Sequence, residues 1–119
     1  MSCTATVRQA DDVTIVDLGG RVTLGDASCT LRKTVRDLIQ RGERRILLNL
    51  KDVTYIDSAG LGELVGSYAT MTNRGGQIKL LHAGNKVGDV LRATKLSLVF
   101  ESFADEAEAL RSFARRTTA

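Results

Sequence analysis

The run Ile46-Leu47-Leu48-Asn49-Leu50 constrains this chain more than any other stretch. It is apolar except for Asn49, the pattern of a strand covered on both faces, as in sheets flanked by helices. Lys51-Asp52 and Val53-Thr54-Tyr55-Ile56 then read as a turn leading to Asp57-Ser58-Ala59-Gly60. From there Leu61, Leu64, Val65 and Tyr68 recur at helical spacing, which predicts a helix from about 59 to 73. Asp57 and Ser58 therefore stand where a loop enters a helix, and one of them is expected to be the N-cap. The first N–H groups of that helix point at the Ser58 hydroxyl or at whatever is attached to it. A phosphate there gains about 0.3–1 kcal/mol from those donors and the helix dipole.

The rest of the chain is arranged around this unit. Cys3 to Arg8 and Val13 to Leu18 alternate across the turn signal Asp11-Asp12, which predicts an N-terminal β-hairpin, with Gly19-Gly20 ending its second strand. Arg21 to Asp26 reads as a loop with Asp26 as N-cap of a first helix. That helix buries Ala27, Leu31, Val35, Leu38 and Ile39, turns Arg32, Lys33, Arg36 and Asp37 to water, and is stopped by Gly42. After the 59–73 helix come a strand at Gln77–His82, a short helix capped by Gly84-Asn85, and a last strand at Leu96–Phe100. Ser102-x-x-Asp105 resembles a capping box, opening a C-terminal helix on Phe103, Ala107, Leu110 and Ala114; Arg115 to Ala119 are expected to fray. The order β-β-α-β-α-β-α-β-α predicts an α/β fold: a mixed, mostly parallel sheet of about five strands, an N-terminal β-hairpin, and about four helices packed against the sheet.

Composition narrows the function. At 119 residues the chain is expected to be one domain, residues 1–119 with a core at about 5–113. Its 43% hydrophobic and 26% charged residues are those of a globular protein. A net charge of +3, with bases spread among acids and only 4% aromatic residues, argues against nucleic acid as a partner. No secretory signal and no membrane span are read, so a cytoplasmic protein is expected. With one histidine and no C-x-x-C, no metal is expected, and no cofactor.

Ser58 has three readings: nucleophile, phosphate acceptor or plain helix cap. A hydrolase elbow needs G-x-S-x-G, and Ile56 replaces the first glycine; His82 is the only possible base, and nothing in the sequence brings it to Ser58. Asp57 either caps the helix or sets a charge beside the hydroxyl. Gly60 and Gly62 in one helical turn mean either that something approaches the backbone closely or that helix and strand pack tightly. They are no nucleotide fingerprint, since the third glycine and a phosphate-loop lysine are both missing.

D-S-A-G-L-G after a buried strand and V-T-Y-I resembles the signature of the STAS-domain anti-sigma factor antagonists. The hairpin, L-R-K-T-V-R-D-L, I-L-L-N-L, G-G-Q-I-K-L-L and T-K-L-x-x-V-F follow that family's order over roughly residues 5–113. The resemblance implies a non-enzymatic binding protein whose serine, Ser58 here, is phosphorylated by an anti-sigma factor with serine kinase activity. Unphosphorylated, it binds that partner and frees a sigma factor for transcription; a metal-dependent serine phosphatase resets it. The partner face is expected around Asp57, Ser58, Ala59, Gly60, Leu61 and Gly62, with Thr54 and Tyr55 beside it. Many relatives carry G-x-[LVI]-D after the second strand. Here Thr23 stands in the place of the acid, and Asp26 is its candidate replacement. Ala59 replaces a second serine found in many relatives, which leaves one hydroxyl to modify. The alternative is a constitutive STAS interaction module of a larger signalling assembly, in which Ser58 is never phosphorylated.

Overall fold

The structure, a computed structural model, describes residues 4–23 and 26–114, with the backbone alone for residues 26–30, 85, 86 and 114. Cys3, Arg115–Ala119 and the side chains of Asp26, Ala27, Cys29 and Ala114 lie outside the described residues.

The apolar run at 46–50 lies in the central strand. Strands β1 (Thr4–Ala10), β2 (Val13–Val22), β3 (Arg45–Ile56), β4 (Gln77–Leu81) and β5 (Ser102–Phe103) form one sheet in the order β1-β2-β3-β4-β5. The hairpin pair β1–β2 is antiparallel and the other three pairings are parallel. Helices α1 (Asp26–Gln40), α2 (Ser58–Asn73), α3 (Asn85–Ala93) and α4 (Glu106–Ala114) cover it. Among the described residues no helix is long and apolar enough to cross a membrane.

Side chains alternate across a strand, so β3 feeds two cores. Ile46, Leu48 and Leu50 pack with Leu31, Val35, Leu38 and Ile39 of α1, Leu61 and Leu64 of α2, and Val87 and Leu91 of α3. Leu47 faces the other way, onto Val13, Ile15, Leu81 and the α4 residues Ala109 and Phe113. Burial of each such aliphatic side chain contributes about 1.5–3 kcal/mol, which is why this short run dictates the architecture. On the α4 side, Arg8 donates to Asp17 (2.7 Å) and to Glu106 (2.8 Å), tying β1, β2 and α4 together. Both carboxylates are held below their usual range chiefly by these hydrogen bonds from Arg8. Lys79 is buried on the same side, donating to Ser112 Oγ at 3.0 Å and pairing with Glu101 at 2.9 Å.

Several local expectations are corrected. Gly19-Gly20 does not end β2. The strand passes through both glycines, with register shifts at Asp17/Gly19 and Gly20/Arg21, and Gly20 takes φ +86°, which favours glycine. Lys51 to Ile56 is likewise not a turn, because the extended β2 gives β3 a partner as far as Ile56. Leu96–Phe100 is not a strand: Lys95, at φ +65°, reverses the chain into a 3-10 turn at Leu96–Leu98, and Leu98 is 83% exposed. The last strand is Ser102–Phe103. Ser102 therefore forms no capping box; Asp105 Oδ2 accepts from the Glu108 N–H at 2.9 Å. Helix α4 buries Ala109, Ser112 and Phe113, and Ala107 faces water. Helix α2 buries Gly60, Leu61, Leu64, Ser67 and Met71, whereas Val65 is 38% exposed.

Candidate functional site

Ile56 ends β3 with its side chain in the core, and a single residue, Asp57, separates it from α2. Asp57 is the N-cap. Its extended backbone leaves the strand, its Oδ1 accepts from the Gly60 N–H at 2.9 Å, and its carbonyl accepts from the Leu61 N–H at 2.9 Å. The Asp57 N–H in turn donates to the Val22 carbonyl at the end of β2 (3.3 Å). With Asp57 capping, Ser58 is released from that duty. It is the first residue of α2, it is exposed, and its hydroxyl makes no hydrogen bond to another described residue. The Ser58 and Ala59 N–H groups remain as the open donors of the helix start.

The two glycines of this turn have different causes. A Cβ on Gly60 would fall far inside contact distance of the Val22 carbonyl oxygen and 2.8 Å from Ile56 Cγ1. Gly60 is therefore required by the packing of helix on strand. At Gly62 a Cβ would meet nothing within 4 Å, so its surface is open.

Of the residues expected on a partner face, Ser58, Gly62, Thr54 and Tyr55 are exposed and Ala59 is half-buried. Gly60 and Leu61 of that set are buried, because the helical period turns them towards the sheet while Ser58 and Gly62 face out. Thr23 is half-buried just beyond β2, and Asp26 is the first residue of α1. Thr54 Oγ1 donates to the Gly20 carbonyl at 3.3 Å. Tyr55 carries the Arg21 guanidinium 4.7 Å above its ring centroid. Arg21 escaped the sequence reading because it was taken for a loop residue; only the pairing of Arg21 with Tyr55 across β2 and β3 brings it here.

His82 is not part of this arrangement. It follows Leu81, which pairs with Asn49, and the remainder of β3 to Ile56 adds roughly 20 Å at ~3.3 Å per residue. Instead it lines a separate cavity of about 490 Å³ with Lys51, Ser102 and Phe103. A serine–histidine hydrolase centre is thereby excluded. What remains is an exposed, uncommitted hydroxyl at a helix N-terminus, beside a fixed carboxylate.

Comparison with known proteins places this fold among characterised ones. The STAS domain family profile matches residues 4–109. The anti-sigma-B factor antagonist of Bacillus subtilis (strain 168) is 34% identical over 80 residues, covering 67% of this chain and 72% of that protein. A Thermotoga maritima protein assigned to the anti-sigma factor antagonists superposes with a TM-score of 0.84 at 28% identity, covering 91% of this chain and 92% of that one. The antagonist SpoIIAA has the same fold in its unphosphorylated form, with a TM-score of 0.72 at 17% identity over 94% of this chain and 98% of that one.

Proposed function

The chain belongs to the STAS domain family, and on that premise we propose that it is an anti-sigma factor antagonist switched by phosphorylation of Ser58. One observation carries the proposal: the Ser58 hydroxyl is exposed at the start of α2 and free of intramolecular hydrogen bonds to described residues, because Asp57 does the capping. In the unphosphorylated state the face around Ser58, Ala59 and Gly62, flanked by Thr54 and Tyr55, docks on an anti-sigma factor and thereby frees a sigma factor. Thr23 and Asp26 border this face where β2 passes into α1. The anti-sigma factor is also the serine kinase. Ser58 Oγ attacks the γ-phosphorus of ATP, the bond to the β-phosphate oxygen breaks, ADP leaves, and the serine proton passes to a base of the kinase. A metal-dependent serine phosphatase hydrolyses the ester and restores the hydroxyl. The chain acts as ligand and substrate in the cytoplasm, and catalysis belongs to its partners.

Magnitudes favour a switch of docking over a switch of fold. The phosphoryl group adds about −1.5 to −2 charges. Within the domain, the helix start stabilises that charge by about 0.3–1 kcal/mol, while repulsion from Asp57 costs about 1.5–2 kcal/mol at ~4 Å in water. The balance is a cost of about 0.5–2 kcal/mol, small beside the ~5–15 kcal/mol of a typical domain, and the domain stays folded. At an interface shaped for a neutral hydroxyl no such balance exists, since a desolvated, unpaired charge costs several kcal/mol. About 4 kcal/mol is already ~10³-fold in affinity.

The test is Ser58→Asp against Ser58→Ala. The aspartate variant should bind the anti-sigma factor at least ~tenfold more weakly, about 1.4 kcal/mol, by titration calorimetry with an unchanged circular dichroism spectrum. The alanine variant should bind but gain no phosphate with kinase and ATP, by intact mass. Equal binding of the aspartate variant rejects the switch. Absence of phosphate on the wild-type chain favours a constitutive STAS module.

A further inference from the structure

The cavity beside His82 exists because β4 is shorter than its neighbour. Leu81, the last residue of β4, pairs with Asn49 of β3 and with Phe103 of β5, whereas β3 runs on to Ile56. His82, at φ +58°, then turns the chain away from the strand direction and towards α3. Past Leu81 a gap of about 490 Å³ is left. Lys51 of β3 forms one bank, Ser102, Phe103 and Ala104 form the other, and His82, Ala83 and Gly84 lie between them. Crevices at the carboxyl ends of parallel strands are where open α/β sheets take ligands. Ser58 does not line this one.

Every polar side chain of the lining can donate. Lys51 brings an ammonium, His82 an imidazole N–H and Ser102 a hydroxyl. None of these three side chains makes a hydrogen bond or an ion pair with another described residue. Gly84 is the N-cap of the nine-residue α3 and has no side chain to cap it, so the first N–H groups of that helix stay open as well. Among the described residues no carboxylate lines the cavity, and those nearest along the chain are turned elsewhere. Asp52 faces a recess beside Thr4 and Gly19, and Glu101 pairs with Lys79. Asp105 accepts from the Glu108 N–H, and Glu106 is held by Arg8. Donors that converge from three segments with no opposing acid ask for an anion, and the three outward oxygens of a phosphate suit that spread better than a planar carboxylate. Phe103, the one aromatic residue of the lining, is half-buried and shares its ring with the Lys79 ammonium, which makes it a poor platform for a base. We infer that this cavity binds the phosphate group of a small aliphatic phosphate ester, with Lys51, His82 and Ser102 on its oxygens and Ala83 and Ala104 beside its carbons.

His82 is the only histidine of the chain, so its ring Hε1 resonance reports on this cavity alone. Glycerol phosphate titrated into the ¹⁵N-labelled protein should move that resonance and the amides of Ala83, Gly84 and Ser102 along one saturable curve. Potassium chloride at equal ionic strength should not reproduce it. Glycerate, the carboxylate counterpart, should bind at least ~tenfold more weakly, and inorganic phosphate within ~tenfold of the ester. AMP should bind no more tightly than glycerol phosphate. Lys51→Gln, at an exposed position, should weaken the ester at least ~tenfold with native spectra. Lys33→Gln removes the same charge from the exposed face of α1 and should leave binding unchanged. No saturable shift, a curve matched by potassium chloride, glycerate equal to the ester, tighter AMP, or Lys51→Gln equal to wild type would each overturn the inference. None of these outcomes depends on the Ser58 switch, and Ser58→Asp should bind the ester as wild type does.

Discussion

Gly60→Ala and Gly62→Ala make the same chemical change two residues apart in one helical turn, and their surroundings require opposite outcomes. At Gly60 the new methyl group would overlap the Val22 carbonyl, which is backbone and already accepts from the Asp57 N–H. The end of β2 must retreat from the helix. Overpacking costs about 1–3 kcal/mol and the strained hydrogen bond a further ~0.5–1.5, against an intrinsic gain for alanine of about 0.5–1. The net loss is about 0.5–4 kcal/mol. At Gly62 there is nothing to displace, so the gain of about 0.5–1 kcal/mol stands alone. The variants should therefore differ by about 1.5–4.5 kcal/mol, which at a urea m-value of roughly 1–3 kcal/mol/M separates their midpoints by at least about 0.5 M. Urea unfolding followed by circular dichroism measures this directly. Gly60→Ala should also slow phosphorylation of Ser58, since the displaced strand end carries the helix start with it. A Gly60→Ala midpoint equal to wild type, or a Gly62→Ala midpoint below it, would refute the packing described here.

Two further outcomes follow from the same contacts. Asp57→Ala removes the cap and should cost about 0.5–2 kcal/mol, with faster hydrogen exchange at the Gly60 amide; Asp57→Asn keeps an acceptor and should lose little. The Arg8 triad predicts a pH dependence. Because Asp17 and Glu106 are held below their usual values, its contribution is complete above about pH 4.3 and fades as pH falls through the lowered values. Being partly exposed, each pair contributes only about 0.2–1 kcal/mol. The denaturation midpoints of wild type and Arg8→Gln should thus be separated at neutral pH and converge in acid; a gap that persists at low pH would mean that Arg8 acts by packing.

What the sequence made legible is local, and what it hid is the work of partners far along the chain. The double-sided apolar run at 46–50, the helix start at Asp57-Ser58 and the alternation of strands and helices each depend on neighbours within a few residues, and each stands in the structure. Lys51 to Ile56 read as a turn because nothing nearby reveals that β2 continues to Val22 and pairs with it; Gly19-Gly20 read as a terminus because a bulge and a strand end use the same residue. The site was half legible for the same reason. That Asp57 or Ser58 caps the helix follows from residue type and spacing, but that Asp57 does so and leaves Ser58 exposed is read from the structure, and Arg21 over Tyr55 and the cause of Gly60 require β2 and β3 side by side. That pairing also explains why the hydroxyl stands where it does. A single carbonyl, that of Val22, accepts from Asp57 and excludes any side chain at Gly60, so the end of β2 and the start of α2 are fixed against one another. Thr23, directly after that carbonyl, and Ser58, directly after the cap, are therefore tied to the same contact, and a partner that docked on the serine would meet the end of β2 in the same encounter.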